Sequence, residues 1–170
     1  MRLWGSILAG VILTTAAPAG TDRPAWPTDY RASDLHYATI DQPLRKMIHR
    51  LYANPTAVDA VRRGGPFPTG TRLIMEVHAA RLDDKGQPLT DPDGGFMTAG
   101  PVAIYVMQKS AGQDEAPSLR QRRSGEWIYG EFDPGGRHAG DDVSGCVECH
   151  HLRRYEDFVF SRQRLEQRLR

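Results

Sequence analysis

TRLIMEVHAAR, residues 71–81, alternates Leu73, Met75 and Val77 with Arg72, Glu76 and His78. Successive side chains on an extended strand point to opposite faces, so this spacing predicts a β-strand with one apolar and one polar side, as in a half-buried sheet. Downstream, PVAIYVMQK (101–109) and GEWIYGEF (125–132) are rich in β-branched and aromatic residues and carry glycine at their margins, which predicts two more strands. Between the first two lies LDDKGQPLTDPDGGF (82–96), a long turn region. The three strands together predict an antiparallel meander.

Upstream of this core, KMIHRLYAN (46–54) is ambiguous: it alternates well enough for a strand, yet Leu44, Met47, Ile48 and Leu51 also fit a helical stripe. NPTAVDAVRRGG (54–65) predicts a helix, because Asn54 can cap it, Pro55 suits the first helical position, and Gly64 or Gly65 can take the left-handed stop. Residues 21–43 have no clean period and are rich in Pro and Asp, which predicts an extended lead-in with at most a short helix, regular order beginning near Leu44. The last part of YEDFVFSRQRLEQRLR (155–170) favours helix. No internal repeat is evident. The fold class is therefore α+β, a single domain dominated by an antiparallel sheet with flanking helices.

The first residues read as an address. Arg2 supplies a positive start, Leu3 to Leu13 an apolar stretch, and Ala17-Pro18-Ala19 a small-residue cleavage site, so 1–19 is expected to be a signal peptide and 20–170 the mature domain. No later stretch approaches the length of about 20 apolar residues that a spanning helix needs, so no membrane association is expected after cleavage. A formal charge of +1, with Arg2 alone charged in the leader, leaves the mature chain near neutrality and argues against nucleic acid as a partner. The basic run RQRRSG (120–125) and the arginine-rich tail after Ser161 read as solvated faces.

Cysteine occurs only in CVECH, at Cys146 and Cys149, with His150 directly behind. A disulfide closing over two residues constrains little of the unfolded chain. A thioredoxin-like pair would be expected to open a helix after an early strand. Cys146, Cys149, His150 and His151 are too crowded for tetrahedral zinc. The remaining reading is c-type haem attachment: each thiol adds across one vinyl group, and the following imidazole is placed beneath the iron as an axial ligand. Export suits it as well. On this reading Cys146 and Cys149 carry the thioethers and His150 is the proximal ligand, with His151 at the surface or beside a propionate.

No methionine follows His150, so any sulfur ligand must come from Met47, Met75, Met97 or Met107. Helical-bundle cytochromes also carry the motif late, but this chain lacks the long 3.6-period segments that a bundle needs. YANPTAVDAVRRGGPFPTGTRLIMEVHAAR (52–81), IYVMQKSAG (104–112), GEWIYGEFDPGG (125–136) and CVECHHLRRYEDFVFSR (146–162), in that order, resemble the cytochrome P-460 and cytochrome c′-beta family. The resemblance implies an antiparallel sheet with helices at its edges, a homodimer, and one covalent haem c held by the two cysteines and His150. It also implies a small gaseous or nitrogenous ligand such as nitric oxide, with oxidation of small nitrogen compounds in some members.

One departure bears on activity. In the cross-linked members a lysine follows the "GT" turn and bonds to the porphyrin edge; counted from Gly70-Thr71, the matching position here is Met75. A thioether offers no nucleophilic amine, and Lys46, Lys85 and Lys109 do not match the position. Met75 reads either as core filling beside an open iron site or as an axial ligand of an electron carrier. Phe67 matches an aromatic of the family's preceding turn and is a candidate for the apolar distal cap, or else a core phenylalanine. An oxidase would also need a base near iron. Asp141, Asp142 and Glu131 are the available carboxylates, each otherwise solvated. Trp127 and Tyr129 read as core or haem-packing aromatics, and His36, His49, His78 and His138 lack paired spacing for a second metal.

The function expected is thus an exported, periplasmic mono-haem c cytochrome binding a small molecule such as nitric oxide. The alternative is a periplasmic electron carrier, working with a redox partner protein, with His150 and Met75 as axial ligands. A different class, a haem-free exported domain with a redox or zinc-bound cysteine pair, completes the set.

Overall fold

A computed structural model describes residues 23–111, 124–140 and 142–170. The proposed leader, Arg120 to Arg123 of the basic run, and Asp141 lie outside the described residues. Five strands form one sheet in the order of the chain: β1 (Leu35–Gln42), β2 (Met47–Ala53), β3 (Arg72–Ala80), β4 (Thr98–Lys109) and β5 (Trp127–Phe132). Every neighbouring pair is antiparallel. Among the described residues four α-helices accompany it: α1 (Tyr30–Ser33), α2 (Pro55–Arg62), α3 (Ser144–His151) and α4 (Arg162–Arg168). The fold is an α+β meander.

Two expectations change. Regular order begins before Leu44, because the supposed lead-in contains the short helix α1 and the whole of β1. A register shift between His36 and Ala38 turns Tyr37 inward and breaks the period of two that would have marked the strand. The ambiguous 46–54 stretch resolves as strand β2, whose residues pair in register with β1 and β3.

α2 forms for the reasons its sequence carries. Asn54 Oδ1 accepts Ala57 N–H at 3.1 Å, Pro55 takes the first position, and Gly64 ends the turn at φ +66°. The same oxygen also accepts Arg72 N–H at 3.0 Å, and Asn54 Nδ2–H donates to Gly70 O at 2.9 Å, so the cap ties α2 to the start of β3. Asn54→Ala is expected to cost about 1 kcal/mol or somewhat more. Thermal unfolding followed by circular dichroism should show a midpoint lower by a few degrees.

The turns follow one local device. Asp83 Oδ1 accepts N–H groups of Lys85 and Gln87, Asp91 Oδ1 those of Asp93 and Gly95, and Asp133 Oδ1 those of Gly135 and Arg137. In each case the residue three after the aspartate is a glycine at positive φ: Gly86, Gly94 and Gly136. These turns close the arm between β3 and β4 and the bend after β5.

The side of the sheet that bears Glu76 and His78 is covered, which corrects the expectation that it is solvated. Segment 24–33 crosses the face bearing Tyr52, Ile74, Ile104, Val106 and Phe132, packing Trp26 and Tyr30 upon it. Glu76 and His78 consequently sit inside, at 1% and 4% exposure. Burial is tolerated because the carboxylate is saturated: Tyr30 Oη–H, Arg31 Nε–H, His78 Nε2–H (2.7 Å) and Tyr52 Oη–H (3.4 Å) all donate to it. The opposite face packs Ala53, Leu73, Met107, Trp127 and Tyr129 against α2, α4, Phe67 and Val159.

Candidate functional site

Registration across the sheet fixes what shares a face with Met75. Leu51 and Tyr105 are its neighbours on β2 and β4, His49 and Ala103 flank Val77, and Glu131 lies beside Tyr105 on β5. At one end of this face Ala53, Leu73, Trp127 and Tyr129 are buried. At the other, Ile40, His49, Met75, Val77, Ala103, Tyr105 and Glu131 are only half-buried. The result is a largely apolar shelf, continuous with the core and not closed over by the chain itself.

α3 stands beside the shelf and carries the cysteine motif. Val143, Cys146 and Val147 pack against the core, whereas Cys149 is exposed and both thiols are free. One turn of helix separates the sulfurs along one side, as attachment to two vinyl groups of a single ring requires. Burial, then the charge of Glu131, pushes the Cys146 thiol up from its ordinary value. That is the reverse of the lowered thiol of a redox pair, so the haem-free redox reading gains nothing. Among the described residues no group of three or more His, Cys, Asp or Glu is placed to hold a metal ion.

His150 is the best-defined group of the site. Its Nδ1–H donates to Phe158 O at 2.7 Å, and its ring lies between Tyr129 and Phe160, with centroids 5.1 and 5.3 Å away. Burial holds its protonation below the usual imidazole range. A neutral ring with Nδ1–H committed to a carbonyl presents a lone pair at Nε2, the form that ligates a metal. The phenol of Tyr129 is pushed up, chiefly by burial. Its hydroxyl and that of Ser124 are buried without a hydrogen bond of ordinary geometry.

These donors and walls suit a haem: two free thiols and an oriented imidazole on one helix, beside an apolar shelf of the chain's own sheet. The class they define is a haem cytochrome on an antiparallel meander. The family model for cytochrome P460 matches residues 27–161, and the chain belongs to that family. No curated protein matches it.

The structure thus carries Cys146, Cys149 and His150 on α3 and sets His150 against Tyr129, on the face of the sheet that also bears Met75. Phe67 is 2% exposed, edge-on to Trp127 at 6.0 Å and beneath the Arg162 guanidinium at 4.9 Å. Those are the contacts of a core phenylalanine. Met107 joins the same packed end, at 9% exposure. Of the carboxylates, Glu131 accepts Tyr105 Oη–H at 3.1 Å on the shelf, while Asp142 accepts Ser144 N–H at 2.9 Å, is held below its usual range by the Ser144 side chain and then by that backbone bond, and anchors the start of α3. His49, set aside on spacing, shares the shelf with Met75. Lys109 and Asp157 were not singled out as a pair, although they lie 48 residues apart in a 2.9 Å ion pair close to His150's carbonyl partner. Sequence offered only one hint of this, an aspartate in YEDFVF where the chain must turn sharply.

Proposed function

We propose that the protein is an exported mono-haem c cytochrome that binds a small ligand such as nitric oxide. Cys146 and Cys149 would hold the porphyrin as thioethers, and His150 Nε2 would hold its iron. The carrying observation is the 2.7 Å bond from His150 Nδ1–H to Phe158 O, which fixes the tautomer and leaves Nε2 free. Once bound, the haem iron supplies ligand-binding and one-electron chemistry. The chain's part is to fix the imidazole, to shield one ring face with the apolar shelf, and to place Glu131 and Tyr105 where a proton could be held. Oxidation of small nitrogen compounds would extend that binding, with Glu131 as the base supported by its position.

Met75 decides between an open and a filled iron. It is half-buried on the shelf, and no lysine stands at its position, so attachment of the porphyrin edge to a side-chain amine is not expected there. The second reading, an electron carrier with His150 and Met75 as ligands and a separate redox partner, draws on that same placement. Met75→Ala separates them. If iron is open, the ferric spectrum before substitution lacks a sulfur-to-iron charge-transfer band, nitric oxide binds promptly, and the alanine variant behaves the same to within a few-fold. Presence of that band and its loss in the variant would transfer the function to electron carriage.

Export rests on the leader-like 1–19 segment, and a periplasmic location follows if it is cleaved. N-terminal sequencing of secreted protein should begin at or near Gly20. Assembly as a homodimer rests on the resemblance, and light scattering at micromolar concentration should give twice the mass of one mature chain. Among the described residues no helix is long and apolar enough to cross a membrane.

A further inference from the structure

The geometry points to a lock, made by Lys109, Asp157 and Trp127, that aims the Phe158 carbonyl at His150 and so sets how strongly the imidazole binds iron. This rests on the reading of His150 as the proximal ligand.

Asp157 and Phe158 have φ of +54° and +62°, the only adjacent non-glycine pair in the left-handed region among the described residues. Aspartate tolerates that region; a bulky aromatic seldom enters it. Such a conformation persists where surrounding contacts over-determine it. Here they are plentiful. Lys109 Nζ–H donates to both Asp157 carboxylate oxygens at 2.9 and 3.0 Å and to Phe67 O at 2.9 Å. Phe67 N–H donates to the same carboxylate at 3.2 Å. Trp127 Nε1–H donates to the Asp157 backbone carbonyl at 3.0 Å. Phe158 N–H closes back on Arg153 O at 2.8 Å, and the Phe158 ring lies so near Gly125 that a Cβ there would come within 3.1 Å of it. The Lys109–Asp157 pair is itself largely removed from water, at 12% and 20% side-chain exposure.

What this apparatus delivers is one carbonyl. Phe158 O is the acceptor for His150 Nδ1–H, and a right-handed or extended pair at 157–158 would point it elsewhere. The strength of that bond controls the basicity of the ring and thereby the ligand affinity and potential of the iron. Lys109, Asp157 and Trp127 are therefore positioning residues acting through Phe158.

The test uses the matured, haem-loaded protein. In Lys109→Met, and to a smaller degree in Asp157→Asn, the iron–histidine stretching band of the ferrous protein should move to lower frequency, the midpoint potential should rise, and nitric oxide affinity should change by roughly tenfold, the scale on which partners of metal-bound histidines act. Arg72→Met serves as control, since it breaks another ion pair, to Asp34 at 2.8 Å, that makes no contact with the His150 carbonyl partner. It should lower thermal stability while leaving band and potential in place. If Lys109→Met and Asp157→Asn lower thermal stability as the control does but move neither band nor potential, the lock only holds a loop and the proposal fails. If His150→Ala leaves the parent's band and potential unchanged, the assignment of His150 is wrong, and that result is distinct from the first.

Discussion

Replacing Cys146 and Cys149 together by alanine, in a host that matures haem c, is expected to give a chain whose denatured intact mass is that of the polypeptide alone. The unsubstituted protein should retain the mass of one haem through the same denaturation. On the proposed reading the effect is all-or-none, because thioether attachment would survive denaturation. Each S–H adds across a vinyl double bond, the sulfur to one carbon and the hydrogen to the other, so nothing is lost and the masses simply sum. A further deficit of two hydrogens would reveal a third bond to the ring, which Met75 at the matching position does not permit. The geometry is compatible with that proposed role: both sulfurs lie on α3, one half-buried and one exposed, and neither is engaged with the other. His150 remains in place in the double variant, and any haem held there without a covalent bond is removed on denaturation.

Glu76→Ala should be the most damaging single change away from the haem site. It would strand the Tyr30 hydroxyl and His78 Nε2–H in the interior and release Arg31, whose side chain is 58% exposed and can return to water. Removing one member of a buried charged cluster costs about 3–5 kcal/mol, and for a chain of this length that corresponds to a fall on the order of 10 °C in the unfolding midpoint. The loss should be felt first where segment 24–33 is fastened, so limited proteolysis ought to cut near Tyr30 before the sheet unfolds. The pH dependence has a definite sign. Burial alone would raise the Glu76 carboxyl, but hydrogen bonds from Tyr30, His78 and Arg31 outweigh it and hold the group below its ordinary 4.5. A carboxylate depressed by folding adds stability above its unfolded value, which is lost as pH falls through the folded one. The parent should therefore lose stability progressively below about pH 4.5, and Glu76→Gln should lack that part of the decline while being less stable at neutral pH. Equal acid sensitivity in both proteins would remove Glu76 from this role.

What the sequence disclosed and withheld has physical causes. Strand β3 was legible from its alternation and α2 from Asn54, Pro55 and Gly64, because local rules govern both. β1 was hidden by a bulge at Tyr37 that spoils the period of two. Alternation also misjudged Glu76 and His78: a polar residue on a strand implies water only if nothing covers that face, and whether segment 24–33 covers it is a tertiary fact. The pentapeptide 146–150 suggested haem attachment by itself, since that reading depends only on spacing within one turn of helix. Its supports did not. Lys109 meets Asp157 across 48 residues, and no period encodes that meeting. Phe67 was singled out by its match to a family turn, and no period of the sequence showed its contacts with Trp127 and Arg162.

The most direct measurement is the alkaline pyridine spectrum of reduced protein matured in a haem c-competent host. If both vinyl groups have been saturated by Cys146 and Cys149, the absorption maximum falls at the position of a bis-thioether haem, with one equivalent per chain. A colourless protein, or a maximum at the position of haem with its vinyls intact, would contradict the account.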